Sequence, residues 1–161
     1  MVKFVAFNVL LFGCWFYSLA RGGAPERVAS TVFVVGSIVT ALVANEAAAR
    51  FRSIEIGILA VDVAALAAFL AVALFAERLW PLWLTALQLI GTAAHLVRVT
   101  DPAMIPWAYA FALAFWSYPM LIILAIGTWN HQKRLARFGA DRSWSSFSGR
   151  SAGGPRSGRP G

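Results

Sequence analysis

The chain has 161 residues, 60% of them hydrophobic, and a mean hydropathy of +0.70. Soluble domains hold about 45–50% apolar residues, so the excess leaves little material for a water-soluble core. The formal charge of +7 is concentrated in one region, since residues 130–161 carry seven Lys/Arg and one Asp; it points to membrane orientation and anionic lipid headgroups ahead of nucleic acid.

Five apolar windows, roughly 4–20, 28–45, 54–76, 79–99 and 104–129, account for the excess. Each approaches the ~20 residues that cross ~30 Å of hydrocarbon at ~1.5 Å per residue. They predict an all-α fold, an integral membrane bundle of five transmembrane helices over residues 1–132. Helices are required because backbone groups in lipid have to be satisfied within their own segment. A basic cytoplasmic tail, 133–161, follows, and its Gly, Ser, Arg and Pro content from Gly139 onward is that of a disordered segment.

The first window has Lys3 before its apolar run and Ser18-Leu19-Ala20 after it, the pattern of a cleavable signal peptide. Charge argues for retention. Five spans with a cytoplasmic tail need an outside N-terminus, which places Arg21, Arg27, Arg78 and the tail inside and Lys3, Arg50, Arg52 and Arg98 outside. Trp15, Tyr17, Trp80, Trp83 and Trp129 then fall at inner ends, and Trp107 and Tyr109 at an outer one, as an aromatic belt requires. Cys14 is alone in the chain, cannot form an intrachain disulfide, and reads as a small buried hydrophobe.

Residues 21–27 form a turn by composition. In the second window Gly36, Thr40 and Ala44 recur every four residues, a spacing that lets helices approach closely. Packing within the chain is the expected use, and an assembly interface the alternative. Residues 45–55 read as a polar connector with an exposed Glu46–Arg50 pair. The third window carries Asp62 on one face and Gly57, Ala60, Ala64, Ala67 and Ala71 on the other, so a central helix packed on both sides is expected.

In the fourth window Thr85, Gln88, Thr92 and His95 share one helical face, with Arg98 at its edge. Only Glu77-Arg78 separates the third and fourth windows. Counting back equally from that reversal puts Asp62 and His95 at the same depth. The candidate site is therefore Asp62, Gln88, Thr92, His95 and Arg98. An intramembrane acid and imidazole can relay protons or bind a small polar or anionic solute. They can equally serve as a buried clamp that fixes the register of the hairpin, and the clamp is the favoured expectation.

Asp101-Pro102 and Pro106 end the fourth helix in a short outer loop. Pro119 removes one backbone bond from the fifth, kinking it, with Ser117 near enough to re-satisfy part of the gap. His95 and His131 fall near opposite faces and cannot share an ion, so His131 reads as an interfacial polar residue. No metal, cofactor or catalytic constellation is expected. Phe138, Trp144 and Phe147 among the tail arginines could stack on bases, but contact with anionic lipid is the simpler role. The expected function is a non-enzymatic packing or interaction subunit of the inner membrane. Its partners would be the bilayer, a membrane protein or a second copy. The alternative is a small transporter or channel-like protein built on Asp62 and His95.

Overall fold

A computed structural model describes residues 2–47, 53–100, 106–141 and 144. They form five α-helices: α1 (Val2–Arg21), α2 (Ala24–Ala47), α3 (Ser53–Phe75), α4 (Trp80–Thr100) and α5 (Pro106–Phe138). Among the described residues there is no strand. Each apolar window becomes one helix. The Glu46–Arg50 pair, the outer loop at Asp101-Pro102 and the side chains of Arg98, Trp107 and Tyr109 lie outside the described residues.

Helix α5 begins at Pro106, whose missing N–H costs nothing in a first turn. It runs unbroken through Pro119 and past the expected boundary at Gln132, because Lys133, Arg134 and Arg137 favour helix and complement its carbonyl end. It stops at Gly139, where φ is 69° and the N–H bonds the Leu135 carbonyl at 2.9 Å, a left-handed cap that suits glycine. Gly22 permits the tight α1–α2 turn. A Cβ there would stand 2.5 Å from the Ser18 carbonyl oxygen and 2.8 Å from the Glu26 Cβ.

Helix α3 lies between α2 and α4, α1 packs on α2 and α5, and α5 packs on α4, α1 and α2. α3 is thus packed on both sides, as expected, while α2 and α5 each meet one helix more. Helix α5 delivers Met120, Leu121, Leu124 and Thr128 to the interior, all buried, whereas only 11% of the apolar stretch of α3 is buried. One core cluster joins Ala29, Phe69, Leu84, Met120 and Leu124 from four helices. A second joins Leu11, Cys14, Val34 and Leu121 from α1, α2 and α5. Cys14 is buried as expected, its thiol 3.8 Å from the Leu121 carbonyl oxygen.

Of the small residues of α3, Gly57 packs on α2, where a Cβ would come within 2.6 Å of Val43 Cγ1, whereas Ala60, Ala64, Ala67 and Ala71 are exposed, so the expected close-packed stripe does not form along the helix. Gly36 behaves differently. Among the described residues, nothing beyond its own stretch of helix would lie within 4 Å of a Cβ there. It borders an open groove of about 560 Å³ between α2 and α3, lined by Val32, Val35, Val39, Val61 and Ala64. The expected packing of Gly36 within the chain is therefore not what the fold uses it for.

Two stretches, Ala24–Val43 in α2 and Ile56–Phe75 in α3, are long and apolar enough to cross a bilayer on their own. Val5–Arg21 is apolar but shorter. Outward faces carry Val9, Phe16, Ile38, Leu42, Val63, Leu70, Leu89 and Ile122, all exposed. Ser18 and Thr128, by contrast, are fully buried, with hydroxyls 3.1 Å apart.

Candidate functional site

Equal depth on α3 and α4 brings the acid and the imidazole together. His95 Nε2 lies 2.8 Å from Asp62 Oδ2, with the His95 side chain 4% and the Asp62 side chain 26% exposed. An ionised carboxylate only accepts, which places a proton on Nε2. Gln88 donates from Nε2 to Asp62 Oδ1 at 3.2 Å and to the Asp62 backbone oxygen at 3.4 Å. Both carboxylate oxygens are thus used, and α4 is stitched to side chain and backbone of α3 at one point.

The remaining members of the predicted line do not join. Thr92 is buried, but its hydroxyl donates to the Gln88 carbonyl at 2.9 Å within its own helix. Thr85 donates in the same way to the Pro81 carbonyl at 2.8 Å. Such back-bonding satisfies a hydroxyl locally, so helical phase alone overstated the cluster. Arg98 belongs to α4, with its side chain outside the described residues. Neither the groove between α2 and α3 nor the cleft beside Arg78 and Trp80 is lined by Asp62, Gln88 or His95. The dyad can hold a proton between two helices, and neither of these two clefts reaches it.

A second polar cluster closes the other end of the bundle, where α1 ends, α2 begins and α5 runs out. Glu26, in the first turn of α2, is completely buried. Its Oε1 accepts from Arg78 Nη1 at 3.0 Å. Arg78, 4% exposed at the α3–α4 reversal, reaches the tail with its other arm, donating from Nη2 to Asp141 Oδ2 at 2.7 Å. His131 Nδ1 lies 2.5 Å from the same oxygen, and Arg134 Nε is 3.2 Å from both Asp141 oxygens. Gln132 donates to the Arg21 carbonyl, capping α1 from α5. Gly23 makes room for the cluster, since a Cβ there would stand 3.0 Å from both Glu26 Oε2 and His131 Cε1.

This network corrects two expectations. His131 is buried and paired with Asp141 instead of being a plain interfacial residue. Asp141, two residues past Gly139, folds back onto the helices instead of belonging to an unstructured tail. Burial alone would raise the Asp141 carboxyl. The bonds from His131, Arg78 and Arg134, together with the Arg78 charge, outweigh it and hold the group below its ordinary range. A signal for this was present in the sequence. Asp141 is the single acid among seven tail cations, and Glu26, Arg78 and His131 all fall just outside the apolar windows, at boundaries that the topology places together.

No family model, curated protein or solved structure matches the chain. Among the described residues no group of three or more His, Cys, Asp and Glu side chains is arranged to hold a metal ion.

Proposed function

We propose that this chain is a five-span protein of the inner (plasma) membrane that works without catalysis, as a packing or interaction subunit. Its N-terminus would be outside and its C-terminus cytoplasmic. The observation that carries this reading is the spent state of Asp62: both oxygens are engaged between α3 and α4, and the described clefts open elsewhere. A transport site needs its ionisable group exchangeable with solute or water, and this one is committed to its neighbours. Membrane residence is supported by the uncovered apolar stretch of α3, because the core helix of a soluble protein would be mostly buried. The orientation rests on Arg21, Arg27, Arg78 and the α5 cations gathering at one end.

Two experiments test the reading. Reporter fusions at Gly23 and Gly139 should report cytoplasmic and one at Ala48 external, and an external signal from Gly139 overturns the orientation. In proteoliposomes, wild type and Asp62→Asn should show the same background proton leak. A flux present in wild type and lost in Asp62→Asn would instead establish the transporter alternative.

A further inference from the structure

Donors and acceptors do not balance around Asp141. Its Oδ2 takes Arg78 Nη2 at 2.7 Å, His131 Nδ1 at 2.5 Å and Arg134 Nε at 3.2 Å, while Oδ1 takes only the shared Arg134 Nε. Arg134 Nη2 and Trp80 Nε1 are buried, with no acceptor among the described residues. Both side chains line a cleft of about 660 Å³ that also touches Arg78, Asn130 and Asp141. A carboxylate offers two oxygens in a plane. A phosphate group offers three or four around a tetrahedron, enough to divide the crowded Oδ2 donors and to reach the Arg134 fork, whose geometry suits phosphate.

Charge supports the same occupant. Glu26 neutralises one arm of Arg78 and Glu77 borders the cleft, so the network with Asp141 in place carries no surplus positive charge. Withdrawing Asp141 removes one negative charge and the acceptor shared by Arg78 Nη2, Arg134 and His131, beside a cleft that Arg78 and Arg134 line. We propose that Arg78, His131 and Arg134 form a binding site for a phosphate group, and that Asp141 is a tethered occupant that competes with it. The exposed Trp83 and Trp129, with Lys133 Nζ 3.5 Å from the Trp129 ring centre, set this end at the level of lipid headgroups. The phosphate can come from a lipid headgroup or from solution. The site does not depend on the Asp62 clamp or on the absence of transport.

The test titrates the full-length chain in a nonionic detergent, separately with short-chain phosphatidylglycerol and with inorganic phosphate, reading calorimetric heats. A tethered competitor that fills the site most of the time lowers apparent affinity by the fraction left open, so Asp141→Asn should tighten binding of at least one probe by about tenfold or more. Adding Arg134→Gln should return the affinity to the wild-type value or below. Arg134 is chosen because its side chain is more than a third exposed, whereas changing Arg78 would also disturb Glu26; thermal melts of each variant verify folding. Tightening for the lipid alone assigns a headgroup, and tightening for both probes assigns the phosphate itself. Unchanged affinity for both probes in Asp141→Asn overturns the proposal, as does undiminished binding in the double variant.

Discussion

Removing the Asp62 carboxylate gives the sharpest measure of how α3 and α4 are held together. Asp62→Leu deletes the 2.8 Å contact with His95 and the 3.2 Å bond from Gln88. Hydrogen bonds between membrane helices average about 0.6 kcal/mol and reach about 1.7, so two lost bonds bracket a loss of ~1–3 kcal/mol. Taking the acceptor from a donor as deeply buried as His95 puts the cost in the upper half of that range. His95→Leu should cost less, because Asp62 is partly exposed and keeps its Gln88 bond. In the double variant Gln88 still reaches the backbone oxygen of residue 62, at 3.4 Å. The pair of leucines should therefore be nearer wild type than the sum of the single changes, with a coupling of about 1 kcal/mol. Unfolding in mixed micelles by denaturing detergent, followed by tryptophan emission for all four proteins, gives that coupling directly. Additivity within ~0.3–0.5 kcal/mol would refute the clamp.

Other perturbations have equally definite outcomes. Arg78→Leu leaves the fully buried Glu26 without its counter-ion and should cost about 3–5 kcal/mol in the same unfolding assay. Gly22→Ala forces a Cβ against the Ser18 carbonyl and should destabilise by roughly 1–3 kcal/mol. Gly36→Ala meets no neighbouring helix among the described residues and should leave the monomer as stable or up to ~1 kcal/mol more so, a comparison readable by thermal melts. The lowered pKa of Asp141 means that docking of its segment is stabilising above the ordinary carboxylate pKa of ~3.9 and is lost as pH falls through the lower, docked value. A spin label at Ala140→Cys, with Cys14→Ala, should be immobile at neutral pH and become mobile only on strong acidification. Mobility unchanged down to the acid limit would contradict the ion-paired docking.

Helices were legible because an apolar run of bilayer length has few other fates, and the Asp62–His95 meeting because a two-residue reversal leaves the register almost no slack. Helical phase could say that Thr92 shares a face with His95, but not that its hydroxyl would turn back to the Gln88 carbonyl. That α3 would be packed on both sides was legible, but not which of its residues would do the packing: Gly57 meets α2 while Ala60, Ala64, Ala67 and Ala71 stay exposed, and the interior is filled by the large side chains of α5. The Glu26–Arg78–Asp141 network escaped for a related reason: its members come from three distant stretches that meet only because α5 returns to α1. Composition also hid Asp141, since a Gly/Ser/Arg background masks one acid two residues beyond a helix cap.

That return has a consequence for how the protein is made. Much of the surroundings of α1 is supplied by α5: Thr128 for the hydroxyl of Ser18, Leu121 for Leu11 and Cys14, Tyr118 for the ring of Phe7 at 5.6 Å, and Gln132 for its terminal carbonyl. Chains are synthesised from the N-terminus, so α1 emerges well before the α5 residues that complete its surroundings. A nascent chain halted after α4 would leave Ser18 and Leu11 uncovered, an unfinished surface on which a chaperone or quality-control protease could act.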